Sequence, residues 1–465
     1  MLFNSLDFLI FFVVVAVVFR VLRASGAWRP AKLFLLASSY FFYMSWNPPF
    51  VLLILLTTAV DFVAGQRIHD TPGRGAKRVW LLLSLGTNLG ILAYFKYARF
   101  LFENVAWLGG YAGPVPAIFD VILPLGISFH TFQSISYTID MYRGGGKPSR
   151  DLLDFALFVC FFPQMAAGPI VRSWDFLPQA AAPVPRDERY HERALMLIML
   201  GLFKKVVCAD TLGEYVDQVY ADMGRFGGAN IVLAAWAYTF QIYFDFSGYS
   251  DMAIGLAGLL GFSLPDNFRL PYCAENPREF WQRWHIALST WLRDYVYISL
   301  GGNRQGEARA RWNVFLTMTI GGLWHGAAWH YVLWGAYHGL LLVLHRAVAA
   351  RRPPSPSPLA RLGRQFTTFN LVAIGLVFFR APSNSHIADF FGRLGEGGFV
   401  VNGPCLRAVL WVAGALAVHH FLDRCKVGHL FLARPPIVQA TAYAVLAVLV
   451  FLFSPTSERF IYFQF

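Results

Sequence analysis

Charge is what this sequence has least of. Only 14% of its 465 residues are Asp, Glu, Lys or Arg, against about 25% in an ordinary soluble domain. That scarcity excludes a large soluble globule. With 56% hydrophobic residues and a mean hydropathy of +0.47, the chain reads as one that crosses a bilayer repeatedly. Cysteine is scarce too. Cys160, Cys208, Cys273, Cys405 and Cys425 are scattered without a C-x-x-C pair, so neither a disulfide framework nor a zinc site follows. There is no H-E-x-x-H and no Cys/His cluster, which argues against a resident metal. Gly248 and Ser250 begin a G-x-S pattern, but Met252 stands where a nucleophile elbow needs glycine. No internal repeat is evident.

What the sequence has is long apolar runs separated by basic loops. Candidate spans lie near 3–22, 32–46, 49–65, 79–97, 118–140, 151–168, 194–210, 230–262, 312–344, 366–380, 405–422 and 437–454. The runs at 230–262 and 312–344 are too long for single spans and read as bent pairs. The expectation is an all-α polytopic protein of about 11–13 membrane-crossing or re-entrant helices. The first run, "FLIFFVVVAVVF" at 8–19, lacks a basic n-region and an A-x-A site, so it reads as a first span or signal anchor. The stretch "RRPPSPSP" at 351–358 reads as a proline-rich basic loop within a single domain.

The net charge of +12 could suggest nucleic acid, but the basic residues fall in loops between apolar runs. That is the positive-inside pattern of a membrane protein. It places the loops at 20–32, 66–78, 141–150, 345–364 and 423–434 in the cytoplasm. The Asn47-Pro48-Pro49 turn, residues 103–117 and both termini then face outward. The 301–311 loop, with Arg304, Arg309 and Arg311, is cytoplasmic on the same rule. Between it and the 345–364 loop the chain must go in and come back. This predicts a hairpin with legs of roughly 16 residues, about 24 Å each, whose tip falls at His325 to Trp329 in "GGLWHGAAWHYVLWG". Gly321, Gly322 and Gly326 suit the close packing such a hairpin needs.

Ionisable side chains inside spans are functional candidates, and they concentrate between 241 and 338. His325 could take a proton from a hydroxyl, or could instead bond a backbone carbonyl across helices. In "FWQRWHIALSTWLRD", a continuous helix would put Trp281, His285 and Ser289 on one face at i, i+4 spacing. Arg278, Glu279, Arg283, Arg293 and Asp294 make the same stretch amphipathic, so an interfacial helix is the competing reading. Asp245, Ser247, Tyr249, Ser250 and Asp251 in "YFDFSGYSD" form a polar patch that favours a helix-packing network over direct chemistry. Asp61 and Lys96 are placed near span ends. Lys204 and Lys205 suit either an acidic ligand or the interface. His130, His330 and His338 read as structural. The 14 Trp and 44 Phe fit an interfacial belt and core packing.

At "YFDFSGYSDMAIGLAGLLGF", "FWQRWHIALSTWLRDYVYISLGGNR" and "GGLWHGAAWHYVLWGAYHG" the chain resembles the membrane-bound O-acyltransferase (MBOAT) family, above all its bacterial branch that acetylates exported polysaccharides such as alginate. "LPLGISFHTFQSISYTIDMYRG", "FFPQMAAGPIVR" and the ending "FIYFQF" support the likeness, which spans nearly the whole chain. The resemblance implies one membrane domain over 1–465, with a catalytic core about 120–345 and C-terminal helices at 366–465. It implies a ring of tilted helices around a central tunnel. The family's W-H-G histidine matches His325, and its R-W-H-I histidine matches His285; these two are the expected catalytic residues. Trp324, Trp281, Trp284, Ser289, Asp245, Ser247, Tyr249, Asp251, Asn267, Arg293 and Asp294 are the expected substrate or tunnel-lining residues.

The resemblance further implies an O-acetyltransferase of a bacterial inner membrane. Its donor would be acetyl-CoA at the cytoplasmic face, with no metal and no permanently bound cofactor. Its partners would be the bilayer, an exported polysaccharide and a periplasmic SGNH-type acetyltransferase, with no role for nucleic acid. A glycan-precursor transporter or flippase, or a scaffold of a polysaccharide export complex, would also explain spans with buried polar residues. Neither needs histidines in the W-H-G and R-W-H positions.

Overall fold

A computed structural model describes residues 1–165, 168–349, 357–424, 431–454 and 461. Residues 351–356 of the proline-rich loop, Ala166 and Ala167, Cys425, Lys426 and most of the "FIYFQF" ending lie outside the described residues. Every regular element among those described is helical. Among the described residues, five helices are long and apolar enough to cross a membrane: Pro48–Asp70, Arg74–Leu108, Pro358–Arg380, Gly403–Asp423 and Pro436–Phe453. Seven more run 15 residues or longer: Leu6–Ala24, Trp28–Met44, Ile127–Arg143, Glu188–Leu202, Gly228–Leu259, Glu307–His325 and Trp329–Ala349. The chain divides into two compact units. One comprises Met1–Ile198 and Met252–Pro265, the other Met199–Asp251 and Asp266–Phe465.

The first unit is held by aromatic packing and by buried polar bonds. Leu6–Ala24 starts at Ser5, whose Oγ accepts from the Phe8 N–H at 3.2 Å and satisfies one of the donors a helix start leaves open. Phe8 and Phe42 both pack on Phe162, with ring centroids 6.3 and 5.8 Å away. Lys32 and Asp154 form a buried ion pair between Trp28–Met44 and Leu152–Val159. Asp61, expected near a span end, instead lies in the middle of Val51–Asp70 and is fully buried. It accepts from Ser84 Oγ at 2.6 Å and from Asn88 Nδ2 at 2.9 Å, and Ser84 Oγ lies 2.9 Å from Thr138 Oγ1. A buried carboxylate is tolerated only with such donors, so this network staples three helices together. Lys96 lies in a π-helical turn, Ala93–Tyr97, and donates to Ser128 Oγ at 3.2 Å. The helix runs on beyond that turn to Leu108, so the first part of the outward loop expected at 103–117 is helical.

The run at 230–262 is one continuous helix, Gly228–Leu259, of 32 residues, and not a bent pair. It contains no proline, and Gly248 serves close packing: a Cβ there would come 2.7 Å from the Gly201 carbonyl oxygen. Glu307–His325 and Trp329–Ala349, by contrast, do form the expected hairpin, joined by Gly326, Ala327 and Ala328. Its legs are 19 and 21 residues long, exceeding the apolar run because both continue into flanking polar residues. The legs touch at glycine. A Cβ on Gly322 would lie 2.3 Å from the Tyr331 carbonyl oxygen and 2.9 Å from Gly335 Cα. Asn313 on the first leg donates to the carbonyls of Leu300 and Gly302, at 3.1 and 2.9 Å, anchoring the "SLGGNR" loop to the hairpin.

Candidate functional site

The hairpin apex carries His325. As the last residue of its helix, followed by extended backbone at Gly326, its side chain projects where the chain reverses. Its ring is walled by aromatics set edge-on. Trp324, Trp334 and Phe379 have centroids 4.9, 5.0 and 5.3 Å away, with interplanar angles of 75–87°. The imidazole is buried at 5% exposure, and a close-packed ring cage of this kind fixes its orientation. Tyr331 packs on Phe379 from the second leg, at 5.1 Å, and closes the cage.

His285 is held differently. The expected continuous helix through Trp281, His285 and Ser289 is broken: one helix ends at Arg283 and the next begins at Ile286. Between them His285 has φ +41° and ψ +56°. This left-handed conformation costs a non-glycine residue about 1–2 kcal/mol and persists only when surroundings enforce it. Those surroundings are the 267–270 segment. The Ile286 N–H donates to the Asn267 carbonyl at 2.9 Å and the Arg269 N–H to the Arg283 carbonyl at 2.9 Å. Asn267 Oδ1 accepts from the Ala287 N–H at 3.2 Å and lies 3.1 Å from His285 Nδ1. Phe246 meets the ring edge-on at 4.7 Å, and the histidine is fully buried.

The two imidazoles converge on one indole. Trp324 has its ring centroid 6.4 Å from that of His285 and 4.9 Å from that of His325. Trp281 packs on Trp334 at 5.8 Å and on His338 at 5.2 Å. Trp284 stacks on Phe280 at 5.6 Å and meets Phe268 edge-on at 5.1 Å. Ser289 Oγ donates to the Trp284 carbonyl at 3.2 Å. The break at His285 thus turns Trp281 and Ser289 to different neighbours.

The remaining candidates sort by their partners. Asp245 pairs with Lys205 at 3.0 Å and accepts from the Ile461 N–H at 2.9 Å; Lys205 also pairs with Asp210 at 2.7 Å. Asp251 pairs with Lys204 at 2.6 Å. Ser247 and Tyr249 are buried on the same helix. "YFDFSGYSD" and the two lysines therefore answer one another across a helix interface. Arg293 and Asp294 pair with each other at 2.7 Å, the arginine mostly exposed. His330 Nδ1 lies 3.1 Å from the Phe378 carbonyl, and its ring packs on Tyr331 at 4.1 Å. His338 sits against Gly375, and His130 is buried in the first unit. Among the described residues no group of His, Cys, Asp or Glu is placed to hold a metal ion.

Sequence reasoning missed the charged frame beneath His285. Arg283 pairs with Glu279 at 2.8 Å and Asp423 at 3.0 Å; Arg361 pairs with Asp423 at 2.9 Å and Glu275 at 3.0 Å; Arg364 pairs with Glu275 at 2.6 Å. Partial burial works against the Arg283 cation, but the two carboxylates outweigh it and hold the guanidinium above its ordinary value. The signal was present as three arginines opposite three carboxylates. Apart from Arg283 and Glu279, which are four residues apart, the partners lie far apart in sequence.

The imidazole cage at the hairpin apex and the second, strained imidazole lie in one stretch of the chain, and comparison with known proteins assigns that stretch to a family. Residues 149–361 match the MBOAT, membrane-bound O-acyltransferase family. The chain is 43% identical over 392 residues to the Pseudomonas putida protein named "Probable alginate O-acetylase AlgI", covering 83% of this chain and 79% of that one. It is 36% identical over 413 residues to a Helicobacter pylori peptidoglycan O-acetyltransferase, covering 82% and 77%. It is 31% identical over 284 residues to a Streptococcus thermophilus teichoic acid D-alanyltransferase, covering 55% and 68%. The chain belongs to the membrane-bound O-acyltransferase family. It is a multi-pass membrane enzyme of the O-acyltransferase class.

Proposed function

We propose that the protein moves an acetyl group from cytoplasmic acetyl-CoA to an acceptor hydroxyl reached from the other side of the membrane. The acceptor is an exported polysaccharide, or a periplasmic SGNH-type acetyltransferase that passes the group on. The observation that carries this reading is the pair of buried histidines, His325 and His285, both near the Trp324 indole inside the region matched to the family. Two of the relatives above are named as an alginate O-acetylase and a peptidoglycan O-acetyltransferase, which favours acetyl over other acyl groups.

In the proposed reaction the acceptor oxygen attacks the thioester carbonyl carbon while His325 takes the hydroxyl proton. The carbon–sulfur bond then breaks, and the thiolate leaves and recovers that proton from the imidazolium. Such base catalysis is worth about 10²–10⁴-fold. His285 orients donor or acceptor, and Trp324 packs near both imidazoles. The ring of helices and its tunnel, the inner-membrane location with both termini periplasmic, and a single domain over 1–465 with its core at 120–345 belong to the same proposal. Mass spectrometry of exported glycans, from cells with and without the protein, tests it. Acetyl groups should vanish from one polymer on deletion and stay absent when His325→Ala is expressed at the wild-type level. Normal acetylation with that variant would sink the proposal.

A further inference from the structure

We infer that Asn267 is a positioning residue that fixes the ring tautomer of His285, protonated on Nδ1 and basic at Nε2. The inference rests on the reading of His285 as part of the acyl-transfer site and assigns the nitrogen it offers there.

An amide side chain has an accepting oxygen and a donating nitrogen, and which end faces a neighbour follows from the bonding network. At Asn267 that choice is forced. The Ala287 backbone N–H, a donor and nothing else, lies 3.2 Å from Oδ1. Reversing the amide would set two N–H groups against each other in a buried site. The other end, Nδ2, donates to Ser250 Oγ at 3.1 Å. Asn267 is 1% exposed, and its main-chain carbonyl is held by the Ile286 N–H, so the side chain has nowhere to turn. The oxygen that accepts from Ala287 is the same one that lies 3.1 Å from His285 Nδ1. An accepting oxygen requires a proton on that nitrogen. The neutral imidazole has only one, so Nε2 is the basic nitrogen.

The left-handed backbone at His285 belongs to the same device. The turn lets one asparagine receive the N–H groups of Ile286 and Ala287 while reaching the ring of the residue before them. A partner of this type, bonded to the nitrogen remote from the chemistry, sets tautomer and basicity in other histidine sites. It also divides labour between the histidines. A neutral His285 with a basic Nε2 accepts a hydrogen bond from the acceptor hydroxyl or from a donor amide. It cannot donate one to the oxyanion that forms on the thioester carbonyl, so that stabilisation must come from another group.

The test is ¹⁵N NMR of the full-length chain, histidine-labelled and in lipid nanodiscs, with the His285 signal identified by its loss in His285→Gln. Wild type should show a protonated Nδ1 and an unprotonated Nε2. Asn267→Asp, which keeps the accepting oxygen, should preserve that pattern and move the acidic limb of the pH–rate profile upward, because a carboxylate favours the imidazolium. Asn267→Ala should lose Nδ1 protonation and about 10–100-fold in kcat with a much smaller change in KM. Protonated Nε2 in wild type, or an unchanged His285 signal in Asn267→Ala, would overturn the inference. Undiminished turnover by His285→Gln would instead remove His285 from the site, and the catalytic role of Asn267 with it, while leaving the NMR assignment standing.

Discussion

His285 and His325 lie near the same indole, yet they are held by opposite means. His325 ends a regular helix and is surrounded by rings, with Trp324, Trp334 and Phe379 all meeting it edge-on. His285 interrupts a helix, adopts a left-handed backbone, and is bonded through Asn267 to a fixed frame. Aromatic rings wall the first; hydrogen bonds to Asn267 hold the segment of the second. The difference matches the proposed roles. A base that must gain and lose a proton is served by a cage of rings that holds it at the apex. A residue that only positions is served by a fixed tautomer.

Substitutions can break this comparison at several levels. The largest effect is expected from His325→Ala, which should lower kcat by about 10²–10⁴-fold with little change in thermal stability, measured by turnover and Tm on the same preparation. Next comes packing. Gly322→Val would drive its side chain against the Tyr331 carbonyl and Gly335, and should cost about 1–3 kcal/mol or more. Urea or thermal denaturation in detergent would read it, and an unchanged midpoint would refute the tight hairpin. Asp423→Ala removes the carboxylate shared by Arg283 and Arg361. Because the pairs are only partly buried, the expected loss is about 1 kcal/mol, with a fall in activity through the His285 segment. The smallest effect belongs to His330→Ala. Its ring bonds the Phe378 carbonyl and packs on Tyr331, so turnover should stay within about threefold of wild type while stability falls by about 1 kcal/mol. A collapse of turnover there would mean that the site extends along the second leg.

Much of this was legible in the sequence because it rests on long-period signals. The apolar runs predict helices close to those observed, and the basic loops on either side of 312–344 predict the hairpin and its apex. Those signals are local and repeat over many residues. The run at 230–262 misled because length alone suggested a break, whereas a proline-free sequence with a glycine set against Gly201 carries one helix through. His285 misled in the other direction. Nothing in "FWQRWHIALS" announces a helix break, because the break is enforced by Asn267, eighteen residues earlier in the chain. Asp61 escaped for the same reason: its partners Ser84 and Asn88 lie on another helix. Period and loop charge reveal elements, while pairings between distant segments decide where those elements stop and what their polar residues do.

The central claim is that His325 is the base of an acetyl transfer fed by acetyl-CoA. It is tested most directly by purified protein in nanodiscs, given acetyl-CoA and the acceptor identified from the exported glycan, with release of the CoA thiol followed in wild type and His325→Ala at equal folded protein. The account predicts acceptor-dependent thiol release by wild type and a loss of at least about 100-fold in the variant. Equal rates in the two proteins, with Tm unchanged, would contradict it.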